Sequence, residues 1–329
     1  MVSIIMPLYN RQDFLPETLD SIVRQTYTHW QLVVVDDGST DSSVDIIQQF
    51  GKIHQGKVKL LHSSVAQSGA AACRNIGIKE ADGDLIMFLD SDDKLADFCL
   101  EQRVKVMSED DGIDWAVFLQ YLWKPEGPLP YATFNKIIDN KFAAIDCFFQ
   151  MDPAWQTMAP IWKRSALVKL GGFDVTLIYM EDPDLHLRAL LDTSLTVSIN
   201  YHLPPDCFYR VDNMDETKAK RFYELSIVSR FSFLKKLPEF FQNIDSKEQM
   251  GRYKKQVRNG YFAFLKGFVL SRINQYTLPL NQSITLLRSL KIISTYDIVK
   301  IKILQLVFGN NSWVITKLRI KGLLYRIIN

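Results

Sequence analysis

The sequence predicts an α/β fold, a mostly parallel sheet flanked by helices, with a helical C-terminal region. Three observations carry that prediction. Short continuous apolar runs alternate with stretches of helical spacing over the first 120 residues, the pattern of βαβ units. Several of those runs end in acidic clusters. Beyond residue 215 strand-like runs cease.

The elements follow in order. "VSIIMP" (2–7) is apolar and β-branched throughout, as expected for a strand buried on both faces. Residues 13–25 place Phe14, Leu15, Leu19, Ile22 and Val23 at helical spacing. "QLVVVD" (31–36) is the second strand and "TDSSVDIIQQF" (40–50) the second helix, with Thr40 or Asp41 as its cap. "VKLLH" (58–62), a helix over 68–80, "DLIMFLD" (84–90), a helix over 95–108 and "DWAVF" (114–118) complete the series. From 121 to 160 prolines and aromatics loosen the pattern. Helical spacing returns at 163–170 and 182–191, with two short strands near 195–201 and 206–211. No internal repeat or low-complexity tract stands out.

At 329 residues, 47% hydrophobic and 23% charged, the chain reads as globular, one large domain or two of ordinary size. Its net charge of +2 hides an asymmetry. Residues 1–250 hold 25 Lys/Arg against 36 Asp/Glu, while 251–329 hold 14 Lys/Arg against Asp297 alone. A basic tail on an acidic body suits an anionic partner. Four cysteines without a CxxC pair argue against a disulfide framework and a zinc site. No HExxH, signal peptide or uninterrupted apolar run of membrane-spanning length is visible, so a cytoplasmic or peripheral protein is expected.

Four loops gather at the carboxyl edge of such a sheet, where ligands bind. "PLYNR" (7–11) follows the first strand, and "DDGSTD" (36–41) the second. "QSGAAACRN" (67–75) offers small residues that let a helix approach the sheet, with Arg74 facing either a phosphate or solvent. "FLDSDDKL" (88–95) delivers three acids to the edge. Asp90 and Asp92 leave the strand on one side, placed for one hard cation, which takes one or two carboxylates plus substrate phosphates. Asp93 is expected to cap the next helix. In "YMEDPDLHLRA" (179–189), Pro183 belongs to a first turn, which makes Asp182 a cap, and Asp184 with Arg188 form an i, i+4 pair. Glu181 beside Asp182 can raise its pKa, as suits a general base.

"VSIIMPLYN", "QLVVVDDGSTD", "AACRNIGI", "IMFLDSDD", "LGGFD" (170–174) and "MEDPDLHLR" stand in the order and rough spacing of family 2 glycosyltransferases, and the chain resembles them over residues 2–212. The resemblance implies the GT-A fold, an inverting reaction, a nucleotide-sugar donor and Mn²⁺ or Mg²⁺. Pro7 and Tyr9 then resemble the loop under the base. Asp37 resembles the acid that accepts from uracil, and Asp90 the residue near ribose and metal. Asp92 resembles the metal ligand of the DxD motif, and Asp182 the catalytic base with Glu181 in support. Arg210, in "YRVDN" (209–213), resembles a phosphate contact, and Asp212 stands where many members carry His.

The expected organisation is a glycosyltransferase domain over 1–212 and a helical, basic region over 213–329. Residues 284–308 and 313–328 mix apolar residues at helical spacing with Lys and Arg, and Trp313 and Tyr325 are candidate interfacial anchors. Such helices suit an anionic membrane surface on the cytoplasmic side, or else pack on the core or form a homodimer. No nucleic-acid module is recognisable. The expected reaction moves a sugar from a UDP-sugar to a saccharide or lipid-linked acceptor without processivity, since QxxRW is absent. A sugar nucleotidyltransferase and a non-catalytic saccharide-binding protein are the alternatives.

Overall fold

The computed structural model describes residues 1–124, 127–211 and 215–309. Asp212 and the 313–328 segment lie outside the described residues. The chain divides into two compact units. One is Met1–Ala143 with Ala154–Met214, the other Ala144–Pro153 with the chain from Asp215 onward.

In the first unit the order is β1 (Val2–Leu8), α1 (Leu15–Val23), β2 (Trp30–Asp36), α2 (Ser43–Ile53), β3 (Val58–His62), α3 (Ala70–Glu80), β4 (Leu85–Phe88), β5 (Lys94–Leu95) and α4 (Cys99–Glu109). It continues with β6 (Trp115–Val117), β7 (Gln120–Lys124), β8 (Gly127–Thr133), α5 (Lys141–Phe149, which runs on into the second unit), β9 (Pro160–Lys163), α6 (Arg164–Lys169), α7 (Glu181–Leu191), β10 (Val197–Ile199) and β11 (Cys207–Arg210).

Seven strands form one sheet in the order β10-β6-β9-β4-β1-β2-β3. β1 runs parallel to both neighbours, with Ile5 opposite Val33 and Phe88. Every residue of β2 is buried, which is why its sequence reads as a continuous apolar run rather than an alternating one. α3 packs on this sheet at its one glycine: a Cβ on Gly77 would lie 2.3 Å from Ile5 Cγ2. The small residues of that helix thus serve close approach, as the sequence predicts.

Two features of the 121–160 region were not legible. β9 enters antiparallel between β4 and β6, so the residues before β9 meet the loops after its neighbours at one edge. A second sheet, β5-β11-β7-β8, also forms. It is fastened by a fully buried ion pair, Arg103 Nη2 to Asp206 Oδ1 at 2.7 Å, both side chains 0% exposed. Arg103 also donates to the carbonyl of Met158 (2.8 Å). Burying that charge without such partners would cost several kcal/mol.

The described part of the second unit is helical after residue 215: α8 (Glu216–Lys235), α9 (Leu237–Gln242), α10 (Lys247–Phe264), α11 (Thr277–Ser289) and α12 (Thr295–Gly309). Its core is aromatic, with Phe149 against Phe240, Phe241 and Tyr253. Residues 144–153 group with these helices, which departs from the expected boundary at 212. Asp146 pairs with Arg252 at 2.5 Å, and Gln150 donates to Gln256 at 2.7 Å. Gly260 lets α10 approach, since a Cβ there would sit 2.3 Å from the Gln150 carbonyl oxygen. Asp297, the sole acid of residues 251–329, is buried, pairs with Arg258 and accepts from Ser294 N at the start of α12. Residues 251–329 thus carry a large excess of cations over their own acids.

Candidate active site

The loops after β1, β2, β3 and β4 meet at one edge of the large sheet. Asp36 closes its own turn by accepting from the backbone N–H groups of Gly38 and Ser39. Asp37 reaches across to the next loop. Its Oδ1 accepts from Ser68 N (2.9 Å) and Oγ (2.8 Å), and Oδ2 from Gly69 N (2.8 Å), at the threshold of α3. Pro7 is the next-to-last residue of β1. The Tyr9 hydroxyl accepts from Gln67 Nε2 at 3.1 Å, and Asn10 Oδ1 accepts from Thr40 N at 2.8 Å. Pro7, Tyr9 and Asp37 thus share one stretch of the edge, with their loops tied together.

The other acids converge on Arg74. Its Nη2 donates to Asp90 Oδ1 at 2.7 Å and its Nη1 to Glu181 Oε1 at 3.1 Å. The side chain is only 4% exposed. Burial works against the guanidinium charge, and the Asp90 and Glu181 carboxylates overcome it. Arg74, expected to face a phosphate or solvent, is a buried bridge between the DSD and ED stretches.

Glu181 and Asp182 open α7, whose flanking residue is Met180. Asp182 is consequently the second residue of the first turn and not the cap, and Pro183 is the third. Burial pushes the Asp182 carboxyl well above the ordinary range, and the neighbouring Glu181 charge adds to it. Glu181 is raised by burial too, against the opposing pull of Arg74. A carboxylate at the positive end of a helix with a raised affinity for protons suits proton abstraction.

The remaining motifs hold this helix in place. Asn75 exchanges two hydrogen bonds with the backbone of Phe173, each 2.8 Å. Arg188 pairs with Asp184 (2.8 Å) and donates to the carbonyls of Leu170 (2.6 Å) and Gly172 (2.7 Å). One turn beyond Asp182, His186 stacks on Trp115 and Trp162, which stack on each other at 4.3 Å. Burial lowers its imidazole to about 3, so it is a neutral packing group at ordinary pH.

Two more expectations change. Asp93 caps no helix: it precedes β5, and its Oδ1 accepts from the backbone N of Arg210 at 2.7 Å. Burial raises its pKa well above the usual value, with Asp92 and Asp90 adding to it. Arg210, expected as a phosphate contact, is 7% exposed and held by protein partners. It donates to Glu17 Oε2 (2.8 Å) and the Asp92 carbonyl (2.7 Å), and stacks on Trp123 at 4.1 Å. Asp92 instead meets a residue to which the sequence reading gave no role, Arg11, whose Nε lies 3.2 Å from Oδ2. Arg11 stands inside "PLYNR", but nothing local marks its partner 81 residues away.

Asp90 and Asp92 are oxygen donors of the kind a hard divalent cation takes, one or two to a site beside substrate phosphates. Among the described residues no group of three or more His, Cys, Asp or Glu is gathered that can hold an ion.

Comparison with known proteins agrees with this architecture. The family described as "Glycosyl transferase family 2" matches residues 3–163. WfgD of Escherichia coli, a "UDP-Glc:alpha-D-GlcNAc-diphosphoundecaprenol beta-1,3-glucosyltransferase", is 39% identical over 107 residues, 32% of this chain and 41% of that protein. The match spans between 15% and 42% of the length of such curated relatives. Among solved structures, S. aureus TarS 1–349 in complex with UDP-GlcNAc aligns at a TM-score of 0.59 and 18% identity, covering 84% of this chain and 75% of that one. The mannosyltransferase PcManGT of Pyrobaculum calidifontis, in complex with GDP-Man and Mn2+, aligns at 0.54 and 16%, covering 99% of this chain and 85% of that one. These two likenesses concern the fold. Over residues 3–163 the chain is similar to glycosyl transferase family 2, and its α/β fold is similar to that of these solved glycosyltransferases.

Proposed function

We infer that the protein is a non-processive, inverting glycosyltransferase that moves a sugar from a nucleotide-diphospho-sugar, a UDP-sugar by preference, to a saccharide or lipid-linked acceptor. The observation that carries this reading is the Arg74 bridge. It joins Asp90 to Glu181 and so fixes the donor-side acids and the Asp182 helix as parts of one site.

The acceptor hydroxyl is a poor nucleophile until it loses its proton. Asp182 takes that proton, a contribution of roughly 10²–10⁴-fold. Attack at the anomeric carbon comes from the face opposite the nucleotide, and the configuration inverts. Glu181, held by Arg74, keeps Asp182 proton-hungry. Pro7, Tyr9 and Asp37 receive the base, and Asp90 lies toward the ribose. Asp92 and Asp90 would hold Mn²⁺ or Mg²⁺, which supplies charge stabilisation to the leaving diphosphate. The relatives' names support this: WfgD is named for a UDP-glucose donor and a diphosphoundecaprenol-linked acceptor, and PcManGT is in complex with Mn2+.

The second unit is the membrane-facing part of this reading. Tyr296, Val299 and Ile303 are exposed on α12 at helical spacing, beside exposed Arg288 and Lys291. No helix among the described residues is long and apolar enough to cross a membrane. An anionic surface is the proposed contact, at the inner face of the cell membrane.

The test is a nucleotide-sugar screen with Mn²⁺ or Mg²⁺, followed by NMR of the transferred sugar's anomeric proton. Inversion relative to the donor is expected. Retention, or release of pyrophosphate in place of a nucleoside diphosphate, would contradict the reading.

A further inference from the structure

We propose that Arg11 is a donor-binding residue that exchanges partners. Its guanidinium pairs with Asp92; on binding of cation and donor it yields that carboxylate to the divalent cation and passes to the nucleotide diphosphate. This rests on the donor and cation reading above.

Three arginines meet the acidic edge, and only one is placed to move. Arg74 is 4% exposed and held by two carboxylates. Arg210 is 7% exposed, bonded to Glu17 and the Asp92 carbonyl, and stacked on Trp123 and on Phe14 at 4.9 Å. The Arg11 side chain is 40% exposed. Beyond Asp92, among the described residues its side chain donates only to carbonyls of its own loop, Tyr9 at 3.4 Å and Asn10 at 3.2 Å. Its backbone is pinned separately, by N–H donation to Ser43 Oγ at 2.8 Å. The loop is fixed, while the guanidinium has one 3.2 Å contact outside it, to Asp92.

A guanidinium on a carboxylate and a cation bound by the same carboxylate repel each other at contact distance. In the absence of nucleotide the cation must therefore displace Arg11 into water. A diphosphate removes that cost, because it offers the fork of Arg11 an anionic, bidentate partner within its own loop's reach. Cation and nucleotide then bind with positive coupling, and coupling of this kind is reciprocal.

The experiment measures Mn²⁺ affinity by electron paramagnetic resonance of the free ion, with and without UDP, on the full chain and on Arg11→Gln. A thermal melt confirms that the variant is folded, and Arg11→Lys provides a second replacement that keeps the charge. In wild type, UDP should tighten Mn²⁺ binding by about 5-fold or more. Arg11→Gln should bind Mn²⁺ more tightly than wild type without UDP, bind UDP more weakly with Mn²⁺ present, and lose most of the coupling. Arg11→Lys should retain part of it. Unchanged Mn²⁺ affinity and coupling in Arg11→Gln would overturn the role of Arg11 and leave the cation reading standing. Failure of wild type to bind Mn²⁺ while it binds UDP would overturn the cation reading, and this inference with it.

Discussion

Asp182 sits among groups that set when it can accept a proton. Burial and the Glu181 charge raise its pKa, and a base works only when deprotonated. Activity should therefore fall as pH drops through a value above the ordinary carboxylate range, near 3.9. Replacing Glu181 with Gln removes one of the charges that raise it, so the acid limb of kcat/KM should move to lower pH; a limb that stays put or rises would dissociate the two residues. The buried pair Arg103–Asp206 makes a separate prediction. Asp206→Ala leaves a guanidinium uncompensated and should cost about 3–5 kcal/mol of stability, read in chemical denaturation, while Arg103→Met combined with Asp206→Leu should recover much of it. Site acids were legible because apolar strands deliver them to a sheet edge. Their partners were not. Whether Arg74, Arg210 or Arg11 faces a ligand or a carboxylate depends on residues far away in sequence, such as Glu181, Glu17 and Asp92, and no local pattern encodes those pairings.

At the level of elements, the six motifs share one framework. α3 presents Arg74 and Asn75 from adjacent positions, one to Glu181 and the other to Phe173, while Arg188 of α7 closes on the same LGGF turn. The approach of α3 to β1 is decided by Gly77. Gly77→Ala forces a methyl into Ile5 Cγ2 and should cost about 1–3 kcal/mol, with activity falling as Arg74 is displaced; pairing it with Ile5→Ala, which removes Cγ2, should cost less than the two single changes added together. Equal melting temperatures for Gly77→Ala and wild type would show that the contact is relieved elsewhere. The parallel strands were legible because burial on both faces leaves uninterrupted apolar runs. β5 with two residues, β9 with four and the proline-bearing β8 are too short or irregular to show a period, so the second sheet and the antiparallel insertion stayed hidden.

For the whole molecule, the change of charge sign along the chain marks two bodies, yet the sequence places their boundary too simply. Residues 144–153 fold with the C-terminal helices because Asp146, Phe149 and Gln150 find their partners there. Those contacts span more than 100 residues. The exposed face of α12 and the cations before it predict binding to vesicles that contain anionic phospholipid. Arg288→Glu with Lys291→Glu should weaken co-sedimentation and its salt dependence, while sugar transfer to a soluble acceptor persists; unaltered sedimentation would assign that surface to another partner. The central claim is that the Arg74-linked acids form a single glycosyl-transfer site with Asp182 as its base. Its most direct test is sugar transfer by Asp182→Asn beside wild type, with UDP affinity measured on both. The account predicts a loss of turnover of roughly 10²–10⁴-fold at unchanged UDP affinity, and near-normal turnover by Asp182→Asn would contradict it.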